Sequence, residues 1–140
     1  MHLRVDSIEQ ALRNAGWTVE SEGYRVAFAV AEDNLRLGRT VVADCVDPWP
    51  LTREEWRAIA ARSGVPIVPV EVVCSDVNEH RCRVESRTAD IPGHIVPTWM
   101  DVIERDYRQR DDDRLVIDTA RLDVDASVRA IQAAMHEVVK

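Results

Sequence analysis

Four short apolar runs in this 140-residue chain each deliver an aspartate at or just past their ends: LRVD to Asp6, VVAD to Asp44, VVCSD to Asp76 and LVID to Asp118. A carboxylate at the end of a strand can accept a proton, or hold a divalent cation directly or through its water shell. It can also do no more than cap the helix behind it, because aspartate is a preferred N-cap. Local spacing separates these cases in part. Asp76, or Ser75 beside it, heads a polar helix and reads as a cap, and Asp6 with Glu9 has the spacing of a capping box. Asp44 is followed by the loop DCVDPWPLTR instead of a helix, which suits a magnesium site. Asp118 with Thr119 is either a turn or the border of a base pocket.

The basic counterpart is HRCRVESR, with Arg81, Arg83 and Arg87 inside seven residues. Arg83 and Arg87 share a helix face at i, i+4, and Glu79 stands one turn ahead of Arg83 to pair with it. As a solvated face, such a helix carries ordinary surface ion pairs. As part of a site, its guanidiniums would stabilise charge on a transferring phosphoryl group. The cluster together with the acidic edge favours that role for at least one of the three. Trp49, between Pro48 and Pro50 in the loop behind Asp44, is placed to wall a substrate pocket, whereas Trp56 and Trp99 lie on helical core stripes. Cys45, Cys74 and Cys82, with His80 and His94 nearby, lack the spacing of a zinc site and read as buried reduced thiols of a cytoplasmic protein.

The frame that must position these residues is an ordinary globular one, with 46% apolar and 31% charged residues. No apolar run approaches the length of a membrane span. The net charge of −7 argues against a general nucleic-acid binder, whose affinity comes from neutralising phosphates. The chain has 17 arginines and one lysine, Lys140, so no lysine chemistry is available inside the fold.

Periodicity gives strand LRVD, a helix from Ser7 to Ala15 stopped by Gly16, and a helix from about Glu22 to Leu37 stopped by Gly38. TVVADCV follows, apolar on both faces as a central parallel strand is. LTREEWRAIAARSG is a helix with Thr52 and Glu55 as its capping box. VPIVPVEVVCS is the next strand, and a polar helix runs from about Asp76 to Thr88. Thr98 caps a helix burying Trp99, Val102 and Ile103. DDDRLVID turns into the last strand, its acidic run a solvated turn, and Ala126 to Val139 is a closing helix with Val128, Ile131 and Met135 inside. Strands alternating with helices predict one α/β domain over residues 1–140 with a parallel sheet.

LRVDSIEQAL, GYRVAFAVAEDNLRLGRTVVADCVDPWPLTREEW, VEVVCSDVNEHRCRVESR, PTWMDVIERDY and RLVIDTA together resemble small P-loop kinases, AAA-like ATP-binding proteins of the polynucleotide-kinase and zeta-toxin-like type. The resemblance covers essentially the whole chain. It implies a three-layer, parallel-sheet fold and ATP-dependent phosphoryl transfer, with Mg2+, to a hydroxyl of a small molecule. By position, Asp6 would be the base that takes the hydroxyl proton, with Arg4 and Ser7 beside it. Asp44 would stand near magnesium, Arg53 would face the acceptor, and Arg81, Arg83 and Arg87 would form a lid over the triphosphate. Asp118, Thr119 and Ala120 would border the adenine.

Such kinases open with a strand and GxxxxGK[ST], whose amides and lysine hold the β- and γ-phosphates. Neither is present among these residues: Gly16, Gly23, Gly38, Gly64 and Gly93 are isolated. The expectation is therefore a truncated domain of four strands without the first, central strand and its phosphate loop. As written it binds ATP weakly or not at all. Either Met1 is a misassigned start, or the chain is a non-catalytic remnant that oligomerises through exposed strand edges or binds a partner.

Overall fold

The computed structural model describes residues 1–139. Among them, strands and helices follow the predicted order. They are β1 (His2–Arg4), α1 (Val5–Asn14), α2 (Glu22–Arg36), β2 (Val42–Asp44), α3 (Pro50–Arg62), β3 (Val70–Val73), α4 (Val77–Ser86), α5 (Trp99–Ile103), β4 (Leu115–Asp118) and α6 (Val124–Val138). The fold is mixed α/β, its strands in two sheets of two: β1 with β2 and β3 with β4, both parallel. Contacts within the chain gather in two compact units. One comprises Met1–Val65, Ala89–Ile95 and Asp106–Arg108; the other Pro66–Thr88, Val96–Arg105 and the described residues from Gln109 on.

In the first unit, Leu3 of β1 and Val5 of α1 are buried with Ala27 and Ala31 of α2. The alanines let α2 come close to β1, and the wider ring of Ile8, Tyr24, Val30, Val41, Cys45 and Trp56 closes round them. Phe28 meets Trp56 edge-on at 4.6 Å between ring centroids, fastening α2 to α3. Gly16, Gly38 and Gly64 end α1, α2 and α3 at φ of 87°, 73° and 66°, the left-handed conformation that glycine adopts without a Cβ penalty.

The helix starts differ from expectation in two places. LRVD is strand only to Arg4; α1 begins at Val5, so Asp6 lies in its first turn and forms no capping box with Glu9. Glu9 pairs with Arg13 instead, and Asp6 has the position where the helix dipole favours a negative charge. Helix α3 begins at Pro50, two residues before Thr52, because proline's fixed φ suits the first helical position. The Thr52 hydroxyl then bonds Asp47 and the Trp49 carbonyl in place of a capping box with Glu55.

β2 also departs from its pattern. Its apolar run predicts a strand covered on both sides, yet Val42, Ala43 and Asp44 are all exposed at a sheet edge.

In the second unit, β3 and β4 pair from Val70↔Leu115 to Val73↔Asp118, and Ile117 is buried. Asp76 caps α4, its carboxylate accepting from the amides of Asn78 and Glu79 as the sequence predicts. Thr98 and Asp101 form a capping box on α5. Ile103, predicted inward, is exposed, because α5 is only five residues long and has no room for a full inward stripe. Val128 of α6 is likewise 46% exposed. The acidic run is less solvated than predicted: Asp112 binds Arg110 through Nε and Nη2 at 3.0 and 2.8 Å, and the Arg110 side chain is 7% exposed.

Candidate functional site

In the first unit, the pairing Arg4↔Asp44 sets the cationic end of β1 beside the carboxylate end of β2. Arg4 Nε lies 3.8 Å from Asp44 Oδ2, and His2, on the same face of β1, reaches that oxygen at 3.3 Å. Arg4 turns its two terminal nitrogens to Asp90, 2.6 and 3.2 Å from the carboxylate oxygens. This bond lowers the Asp90 carboxyl below its ordinary range. Asp6, half-buried one residue beyond Val5, adds its charge to those around Arg4. Ser7 is exposed on the next position. Arg4, Asp6, Ser7 and Asp44 therefore cluster at the carboxyl ends of a parallel pair, where ligands bind in open α/β sheets.

Trp49 and Arg53 belong to a different local arrangement. Arg53 is 7% exposed and uses its guanidinium to bind the carbonyls of Asp47, Pro48 and Arg108. Its guanidinium carbon also lies 5.0 Å from the Tyr107 ring centroid. That is the geometry of a staple between α3, its entry loop and residues 106–108. The loop needs one: Asp47 stands at φ 50°, a left-handed value uncommon outside glycine, and the Tyr24 hydroxyl accepts from its amide at 2.9 Å. Trp49, 43% exposed, caps the loop end with Arg108 5.8 Å over its ring.

In the second unit, Arg83 pairs with Glu79 as predicted and reaches across to Thr119, its Nη1 2.9 Å from the hydroxyl and its Nη2 3.2 Å from the carbonyl. Asp118 turns inward over the loop ends, accepting from the Ser75 amide at 2.9 Å and the Ala120 amide at 3.1 Å. With Arg121 alongside, these bonds hold its carboxyl below the ordinary range, those from Ser75 contributing most. Two residues that the resemblance sets at a lid and at a base pocket thus stand in direct contact.

Arg81 does not join them; it pairs with Glu85 at 2.8 Å and faces a groove shared with Arg87. The groove holds about 390 Å³, floored by Val84 and walled by Trp99 and Met100. Arg87 reaches the Pro97 carbonyl at 3.4 Å.

His2, Asp90 and Trp99 are the site neighbours that sequence reasoning did not assign. His2 was legible, since i and i+2 on a strand share a face with Arg4. Asp90 had no local signal, lying 86 residues from the arginine it binds.

A magnesium ion fits this chemistry in one limited way. Among the described residues, no group of three or more His, Cys, Asp or Glu is gathered to hold a metal. Asp44 is a single exposed carboxylate, and magnesium held chiefly by substrate phosphates needs only one or two. No helix among the described residues is long and apolar enough to cross a membrane. Compared with family models and with curated proteins, the chain matches none.

Proposed function

We propose that the chain belongs to a P-loop-kinase-like phosphotransferase that moves the γ-phosphoryl group of ATP to a hydroxyl of a small molecule. The observation that carries this reading is the pairing pattern. Two parallel pairs, each alternating with helices, end in carboxylates at Asp44 and Asp118, with Asp6 two residues beyond β1. The resemblance calls for one more strand, central and followed by a phosphate loop.

In this reading Asp6 accepts the proton of the acceptor hydroxyl as its oxygen attacks the γ-phosphorus and ADP departs. Asp44 would hold magnesium, whose chemistry there would be to offset the charge of the phosphates, and Arg4 would hold the acceptor near Asp6. The arginines of α4 neutralise the phosphates, with Arg83 already anchored to the Thr119 turn that would border the base. Arg53, in contrast, serves through the loop it staples.

The first test is the DNA immediately upstream of the Met1 codon. An in-frame apolar strand and GxxxxGK[ST] is the expected result, and the extended chain then transfers phosphate from ATP to hydroxyl acceptors. In it, Asp6→Asn lowers kcat at least about 100-fold while ATP affinity holds. Extended protein that transfers no phosphate, or Asp6→Asn with unchanged turnover, overturns the assignment. Micromolar ATP binding by the 140-residue chain would show that no phosphate loop is needed.

A further inference from the structure

We propose that the acceptor in the phosphotransferase reading, on which this rests, is a small hydroxy acid whose carboxylate binds the two terminal nitrogens of Arg4, with Asp90 keeping that place until it arrives. A carboxylate already lies there. Arg4 Nη1 and Nη2 bind the two oxygens of Asp90, one nitrogen to each, at 2.6 and 3.2 Å. Asp44 meets Arg4 through Nε instead, so both ends of the fork serve a carboxylate from outside the sheet.

Asp90 fits the part of a stand-in because its bond can open without unseating its loop. The Arg4 and Asp90 side chains are 30% and 70% exposed, so solvent screens the pair and little holds it closed. Arg4 is fixed by the β1–β2 ladder, opposite Asp44. Asp90 lies between the end of α4 at Ser86 and the start of α5 at Trp99, and that loop has a second seat at Gly93. Gly93 stands at φ 81°, so close to α1 that a Cβ there would come within 3.2 Å of Gln10 Nε2. Gln10 is buried and donates to Asn14 Oδ1 at 2.9 Å, and the His94 amide closes the turn by donating to the Ile91 carbonyl at 3.1 Å. Rotation of one exposed side chain therefore vacates the fork.

Charge selects the class of ligand. Arg4 stands among the carboxylates of Asp6, Asp44 and Asp90. A neutral group that displaced Asp90 would exchange a charge-assisted, two-pronged bond for a weaker one. A carboxylate exchanges like for like and leaves the local charge as it was. A phosphate monoester would bring more negative charge beside Asp6 and Asp44 than the carboxylate it replaced. Asp6, in the first turn of α1, is near enough for its charge to act on Arg4, so the hydroxyl need be only a few bonds from the carboxylate. Its oxygen takes the γ-phosphoryl group of ATP, its proton goes to Asp6, and ADP leaves.

Glycerate, which has both groups, is the probe, titrated into the isotope-labelled 140-residue chain and followed by NMR. Saturable binding that moves the Arg4 Nε–H signal is expected, while glycerol, which lacks the anion, gives none. Asp90→Asn should bind glycerate at least about tenfold more tightly, because apparent affinity falls with the fraction of forks already filled. Adding Arg4→Lys should undo that gain, since an ammonium does not grip both oxygens. Both variants are read with their core amide signals in place. No binding, an equal response to glycerol, or unchanged affinity in Asp90→Asn overturns the proposal. Inorganic phosphate bound more tightly than glycerate overturns the carboxylate in favour of a phosphate. Extended protein that phosphorylates only uncharged alcohols overturns the substrate class and leaves the kinase reading standing. Glycerate held at Arg4 by an extended protein that transfers no phosphate sustains the carboxylate site and removes the kinase.

Discussion

Arg83 of α4 holds Thr119 by both hydroxyl and carbonyl, at 2.9 and 3.2 Å, so the arginine helix is clasped to the turn that ends β4. The Thr119 hydroxyl passes the link on by donating to the Val73 carbonyl at 2.9 Å, which ties the end of β3 into the same chain of bonds. The Arg83 side chain is 48% exposed, so solvent screens most of its interaction with Glu79 and the clasp is modest in energy.

Arg83→Ala is therefore expected to lower unfolding stability by about 1 kcal/mol or less. Its effect should not add to that of Thr119→Val, because the two changes break a shared bond. A double-mutant cycle by urea denaturation should return a coupling of about 0.5 kcal/mol or more. Full additivity would mean that the clasp is not made in solution.

Arg53 is the opposite case. Its guanidinium is buried, and removing it strands the carbonyls of Asp47, Pro48 and Arg108 without their donor. Arg53→Met is expected to destabilise by about 2–4 kcal/mol, the range for leaving buried polar groups unpaired. Arg53→Lys should recover less than half of the loss, since one ammonium cannot reproduce a fork that spans three acceptors. Equilibrium denaturation with guanidinium chloride measures both. A loss under about 0.5 kcal/mol for Arg53→Met would return Arg53 to the class of ordinary surface residues.

The order of elements was legible because each rests on a local signal: period-two or unbroken apolar runs for strands, three-and-four spacing for α1 to α3, glycines where helices stop. The caps at Asp76 and Thr98 were legible for the same reason, as their bonds reach only two or three residues. What escaped depends on partners remote in the chain. The bonds of Arg53 to the Arg108 carbonyl and of Arg4 to Asp90 span 55 and 86 residues. TVVADCV shows the limit from the other side: composition reports what a strand is suited to touch, and pairing reports what it touches. The strand-to-helix boundary fell two residues earlier than predicted and took Asp6 into the helix, a boundary that hydrogen bonds set and residue type does not.

Acid sensitivity follows from the carboxylates held below their ordinary range. Asp118 is lowered from 3.8 by the bonds from Ser75 first, then Ala120 and Arg121. Because the folded value is the lower one, the native state binds fewer protons, and stability rises with pH through this region. The contribution is present in full above the unfolded value near 3.8 and disappears as pH falls through the depressed folded value. Denaturation midpoints for the chain and Asp118→Asn should thus differ at neutral pH and converge in strong acid. Asp90, lowered by Arg4, predicts the same convergence for Asp90→Asn. Midpoints that stay equally far apart at both pH values would rule out these ionised bonds as the cause.

The three thiols should react in the order of their surroundings. Cys45 packs against the first unit's core beside Trp56, and burial, with the charges of Asp47 and Asp44, pushes its pKa up to about 12. At neutral pH almost none of it is the nucleophilic thiolate, and the thiol has little access to reagent besides. Cys82 is exposed on α4. Iodoacetamide in the native state is expected to label Cys82 first and to reach Cys45 only at the rate of unfolding, read peptide by peptide by mass spectrometry. Urea should bring Cys45 into line with the others, because the unfolded chain restores the ordinary thiol and its exposure together. Equal native labelling of Cys45 and Cys82 would place Cys45 outside the core, and with it the packing of the residue behind β2 against Tyr24 and Trp56.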